Sequence, residues 1–113
     1  MNDLHPAIDL GTMQAAAERA CALLKVLANQ DRLLLMCRLS QGELSVGELE
    51  EQLGIRQPTL SQQLAVLRES GLVATRREGK NIFYAVASPQ ALAVMAVLYE
   101  QFCANNSSQE APC

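Results

Sequence analysis

A chain of 113 residues holds enough material for one compact domain and too little for two. Half of it is apolar and only 4% is aromatic, so the core must be built from Leu, Val, Ala and Ile, a composition that favours helices. The net charge of −3 argues against a uniformly basic nucleic-acid binder, and no apolar run approaches the roughly 18 residues that cross a bilayer.

The N-terminus, Met1-Asn-Asp-Leu-His-Pro, has no basic region followed by an apolar one, so no secretory leader is expected and the cytoplasm is the expected compartment. Residues 1–11 read as a short polar tail ending at Gly11. Over residues 12–28, Met13, Ala17, Cys21 and Leu24 recur at helical spacing, with Ala16, Leu23 and Leu27 on an adjoining face. That apolar surface is wide for a solvated helix, which predicts packing on the domain from one side and on a partner subunit from the other. A second helix is expected from Asn29 or Gln30 to about Leu39, stopped by Gln41-Gly42.

Ser45 with Glu48 three residues on forms a capping-box signature, and it predicts a short helix that buries Val46, Leu49 and Leu53 and ends at Gly54. Pro58 suits the first position of the next helix, whose buried face is Leu60, Leu64 and Leu67 and whose stop is Gly71. Two extended runs follow, Leu72-Val-Ala-Thr-Arg-Arg and Asn81-Ile-Phe-Tyr-Ala-Val, joined by Glu78-Gly79-Lys80 as a hairpin. Ser88-Pro89 opens a last helix running to about Cys103. It is apolar on nearly every face, and so it is expected to form a dimer seam with the first helix. Residues 104–113 read as a polar tail.

The order α-α-α-α-β-β-α, mainly α with a small β-hairpin, is the plan of a winged helix-turn-helix, with one domain over residues 12–103. Charge is segregated accordingly. From Ile55 to Lys80, five bases (Arg56, Arg68, Arg76, Arg77, Lys80) face two acids (Glu69, Glu78), a local balance of +3. In the helix from Pro58, Gln62 lies opposite the leucine face, flanked by Thr59, Ser61 and Gln63, with Gln57 just before it. Gln can pair with adenine N6 and N7, and Ser or Thr can serve bases or phosphates. Arg68 in the same helix and Arg76, Arg77 and Lys80 in the wing are the expected phosphate contacts. Arg56 is set aside as decoration of the turn. No nucleophile–base pairing or phosphate loop appears, so an enzyme is not expected.

The runs Leu24-Lys-Val-Leu-Ala-Asn-Gln-Asp-Arg-Leu33, Gly42-Glu-Leu-Ser-Val-Gly-Glu-Leu49 and Gln57-Pro-Thr-Leu-Ser-Gln-Gln-Leu-Ala-Val-Leu-Arg68 resemble the ArsR/SmtB family of winged-helix repressors. The likeness spans about residues 14–103. It implies a homodimer joined through the first and last helices, bound to a palindromic operator and released by an inducer.

Metal-sensing members of that family place cysteines where this chain has Ser45-Val46-Gly47, or His and carboxylates along the last helix, where residues 92–102 offer only Glu100. The sole histidine is His5, in the tail. No metal site and no cofactor are therefore expected. Four cysteines remain, Cys21, Cys37, Cys103 and Cys113, none in a C-x-x-C pair. The stretches Leu35-Met-Cys37-Arg and Tyr99-Glu-Gln-Phe-Cys103 resemble the thiol-switch branch of the family. That resemblance implies that Cys37 and Cys103 become bridged, directly or through extra sulfurs, by reactive sulfur species or oxidants, and that DNA is then released. Taken singly, each is better read as a buried small hydrophobe, and it is the pair within the family pattern that favours the switch. Cys21 is assigned to packing in the first helix and Cys113 to the tail. Two other readings stay open: a soft-metal or metalloid sensor using Cys37 and Cys103 with Cys21 or Cys113, and an inducer-independent anti-repressor or interaction module on the same fold.

Overall fold

The computed structural model describes residues 9–104. Most of both expected tails, with His5 and Cys113, lies outside the described residues. The elements run α1 (Leu10–Leu27), α2 (Gln30–Leu39), β1 (Leu44–Ser45), α3 (Val46–Leu53), α4 (Thr59–Glu69), β2 (Val73–Glu78), β3 (Asn81–Val86) and α5 (Pro89–Phe102).

α1 starts at Leu10, two residues before the expected boundary, because the Asp9 carboxylate accepts the Thr12 N–H at 3.4 Å and caps the first turn. Asn29 caps α2 in the same way, accepting the Arg32 N–H at 3.0 Å. The capping box at α3 is complete: Ser45 Oγ accepts the Glu48 N–H at 3.2 Å and Glu48 Oε1 accepts the Ser45 N–H at 2.9 Å. Ser45→Ala is expected to lower unfolding stability by about 1 kcal/mol in urea denaturation.

Pro58 precedes α4 as its N-cap instead of occupying its first turn. A proline has no side chain to offer the exposed N–H groups, and Gln57 supplies one instead: its Oε1 accepts the Ser61 N–H at 3.0 Å. At the other end Gly71 takes φ 79°, Leu72 N–H reaches back to the Leu67 carbonyl and Gly71 N–H to Arg68, each at 3.0 Å. That doubly bonded stop turns the chain straight into the wing.

The wing is an antiparallel hairpin in which Val73 pairs with Val86 and Glu78 with Asn81. β1 adds a third strand on the far side of β3, Leu44 opposite Tyr84 and Ser45 opposite Phe83, giving the order β1-β3-β2. Two residues carry too little alternation to announce a strand, so the sequence pattern predicts only the hairpin.

The core lies where α2, α3, α4 and the first turns of α5 meet the sheet. Leu35, Met36, Leu49, Leu60, Leu64 and Leu67 are fully buried there, with Ala91 and Met95 from α5. In α3 only Leu49 is fully enclosed, while Val46 and Leu53 sit half-buried at its margin. α1 contributes little to this core, since Leu27 is its one buried residue. Leu10, Met13 and Leu24 on α1 and Leu92, Val97, Tyr99 and Phe102 on α5 are large apolar side chains at the surface. Among the described residues no helix is long and apolar enough to cross a membrane.

Candidate DNA-reading surface and thiol pair

The buried Leu60–Leu64–Leu67 stripe anchors α4 and fixes which of its side chains face outward. Ser61 and Gln62 are exposed near its N-terminus, Thr59 is half-buried beside them, and Arg68 is exposed in its last turn. Ser61, Ala65 and Arg68 of α4 line a groove of about 450 Å³, with Tyr84 of β3 among its other lining residues. The second helix of the helix-turn-helix and the wing thus share a concave face. Arg77 and Lys80 are exposed on the hairpin.

Four of the expected DNA contacts, Gln57, Ser61, Gln63 and Arg76, have partners within the protein. Gln57 Oε1 takes both the Ser61 N–H and the Ser61 hydroxyl, the latter at 2.7 Å, so this pair stiffens the entry to α4. Gln63 is half-buried, and its Oε1 accepts from Arg32 Nη1 at 2.9 Å, which points it toward α2. Gln63 is thus partly buried and turned to α2, whereas Gln62 is exposed on α4.

Arg76 forms a two-pronged ion pair with Glu43, Nε–Oε2 and Nη2–Oε1 each at 2.8 Å, and a third contact to Glu78 at 2.8 Å. Its guanidinium also stacks over Phe83, 4.6 Å from the ring centre. The hydrogen bond from Arg76 holds the Glu43 carboxyl below its ordinary range, and Glu43 first, then Glu78, hold Arg76 above its own. Arg76 is thus a strut within the wing where the sequence suggests a phosphate ligand. Arg68, Arg77 and Lys80, the other expected phosphate contacts, are exposed, as is Arg56 of the turn.

The thiols belong to a different pair of helices, α2 and α5. Cys37, 8% exposed, is in the last turn of α2, and Cys103, 5% exposed, is the C-cap of α5, its N–H bonded to the Tyr99 carbonyl at 2.8 Å. An apolar cavity of about 340 Å³ lies between the two helices. Gln30, Leu33, Leu34 and Cys37 line it from α2, and Met95, Leu98, Tyr99 and Phe102 from α5. Cys37 therefore faces the end of the helix that Cys103 terminates. In this structure Cys37 is a free thiol and Cys103 is disulfide-bonded, so the two are not joined to each other. Burial pushes the Cys37 thiol above its ordinary pKa, with the Arg38 charge opposing. Cys21, also free, is exposed on α1 in the single protomer.

The arsR-family model of bacterial regulatory proteins matches residues 29–75, from the cap of α2 into β2. Over 97 residues the chain is 57% identical to the biofilm growth-associated repressor of Agrobacterium fabrum, covering 86% of this chain and 83% of that one. This chain belongs to the ArsR family.

Solved structures agree. The transcriptional repressor BigR from Xylella fastidiosa superposes with a TM-score of 0.78 at 51% identity, covering 85% of this chain and 98% of that one. A homodimeric winged helix-turn-helix domain from Mycobacterium bovis, described as a possible ArsR-family regulator, superposes with a TM-score of 0.69 at 28% identity, covering 95% and 97%. As an ArsR-family protein the chain is a DNA-binding transcriptional regulator and not an enzyme. Among its described residues no three His, Cys, Asp or Glu side chains cluster as a metal ion would require. Ser45, at the position where metal-sensing relatives are expected to carry a thiolate, is occupied with capping α3.

Proposed function

We propose that this ArsR-type repressor works as a homodimer on a palindromic operator and lets go when Cys37 and Cys103 become linked by reactive sulfur species or oxidants. The observation that carries the reading is the apolar cavity shared by Cys37 and the last two turns of α5, which end at Cys103. A linkage across it ties α2, a component of the core beneath the reading helix, to α5, one of the two helices with broad apolar surface. The exposed apolar residues of α1 and α5 support the dimer, since faces of that kind are otherwise costly in water.

The chemistry balances without a cofactor. A thiolate of one cysteine attacks the middle sulfur of an organic trisulfide, displacing one thiolate, and forms a mixed trisulfide on the protein. The second cysteine attacks that same middle sulfur and displaces the other thiolate, leaving a three-sulfur bridge and two small thiols. Peroxide gives instead a sulfenic acid, from which the second thiol expels water to leave a plain disulfide. A plain disulfide needs Cα atoms within about 7 Å, and each retained sulfur adds roughly 2 Å of reach. Width of the gap thus selects among inducers.

Intact-protein mass spectrometry and binding to a duplex selected by the protein from a randomised pool test this reading together. After reduction, treatment with an organic trisulfide should add one sulfur, remove two free thiols and release the duplex. Because thiolate is the nucleophile and the Cys37 pKa is raised, the rate should climb about tenfold per pH unit above neutrality if Cys37 attacks first. Release of the duplex without any change in mass would overturn the proposal.

A further inference from the structure

Arg32 joins three helices with one side chain. α1 ends at Leu27, so its last carbonyls have no donor within the helix. Ala28 N–H takes the Leu24 carbonyl and Asn29 N–H takes that of Leu27, at 2.9 and 2.8 Å. The Val26 carbonyl is served by Arg32 Nε at 2.6 Å, from the first turn of α2. The same guanidinium reaches Gln63 of α4 through Nη1 at 2.9 Å. Its backbone is fixed as well, since Arg32 N–H is the donor that Asn29 caps.

Both acceptors are neutral, and the cation makes both bonds stronger than amide–amide bonds of the same length. The positive charge also sits at the C-terminal, negative end of the α1 dipole. A guanidinium is planar, so its Nε and Nη1 directions are locked together. The Val26 carbonyl on α1 and the Gln63 amide on α4 consequently hold one separation for as long as Arg32 grips both. Cys37 lies five residues further along α2, about 7.5 Å down the same axis. A pull on α2 at Cys37 is a pull on Arg32.

We infer that Arg32 is the positioning residue for operator reading: it sets α4 against α1 and α2 and passes a displacement of α2 on to the reading helix through Gln63. Its regulatory half rests on the thiol reading above. Its structural half, that α4 is held in register for DNA by this bond, does not.

A double-mutant cycle on the full chain separates the two, with the duplex selected from a randomised pool as probe. Arg32→Lys keeps the charge and loses the two-way grip, and Gln63→Leu removes the acceptor. Each should weaken binding about tenfold, and the double variant no more than either alone. Arg32→Gln should leave the slope of log affinity against log salt unchanged. A fall of about 0.9 would make Arg32 a phosphate ligand and overturn the inference. Additive losses in the cycle, or wild-type affinity in either single variant, would overturn it as well. Should Arg32→Lys fail to fold, Gln63→Leu keeps the test alive, since retained affinity there is itself a refutation.

For the regulatory half, wild type and Gln63→Leu are bridged to the same extent by mass, and the fold-loss in affinity is compared. The loss should be smaller in the variant, whose reading helix is already released from Arg32. An equal loss would refute the coupling. A wild type that forms no bridge would defeat the thiol reading while leaving the result of the cycle on Arg32 intact.

Discussion

Cys37→Ser should hold its operator as tightly as the wild type and ignore an organic trisulfide or peroxide that makes the wild type let go. Serine replaces one atom in the last turn of α2, where the neighbouring caps and the Ser40 hydroxyl bond to the Cys37 carbonyl remain available. The reading surface on α4 and the wing is untouched. What is lost is one nucleophile, and with it the bridge to α5. Coupling between two sites in a protein of this kind is commonly worth 1–3 kcal/mol, so the wild type should lose about 5- to 150-fold in affinity on treatment and the variant none. Cys103→Ser should behave alike, and Cys21→Ser, at an exposed thiol on α1, should respond as the wild type does. Fluorescence anisotropy with the selected duplex reads all three. A Cys37→Ser protein that still responds would move the trigger to another residue.

Met13→Glu combined with Leu92→Glu should convert a dimer into folded monomers and take DNA binding down by about two orders of magnitude or more. Both side chains are surface residues of the protomer, 54% and 44% exposed, so charging them leaves the core leucines in place. They lie on α1 and α5, the helices whose apolar surfaces the core leaves uncovered. A carboxylate buried against another apolar face without a partner costs several kcal/mol, enough to separate the subunits. With the seam gone, each protomer meets only one half-site, and the second half-site's contribution, about 10²–10⁴ in avidity, disappears. Light scattering should show the molar mass halve while circular dichroism stays helical. A double variant that still elutes as a dimer and binds normally would place the seam elsewhere.

Local signals in this chain are strong wherever one turn of chain decides the outcome. The Ser45–Glu48 box, the Leu60–Leu64–Leu67 stripe and the Gly71 stop are readable from spacing, and each forms as expected; the hairpin forms too, but Glu78, expected in the connection, extends β2 and pairs with Asn81. Boundaries that hang on one side chain are less legible, such as the start of α1 at the Asp9 cap or the displacement of Pro58 out of the first turn of α4. The arginines are the harder case. Arg76 looks like a wing cation until Glu43, 33 positions away, is found beside it, and Gln63 looks like a base reader until Arg32, 31 positions away, takes its oxygen. Basic residues and glutamines have the same composition signature whether they point at a duplex or at their own fold. Only the tertiary partner tells them apart, and nothing in the spacing along the chain supplies it.

The strut from Arg76 to Glu43, together with the two-residue strand at Leu44–Ser45, ties the hairpin to the segment that begins α3. The hairpin and the helix-turn-helix are thereby one rigid caliper and not a body with a loose finger. On the proposed operator-bound dimer, a hairpin tied in this way should favour duplexes of one backbone shape, so Glu43→Ala is expected to relax discrimination among duplexes that differ in groove width and not in contacted bases.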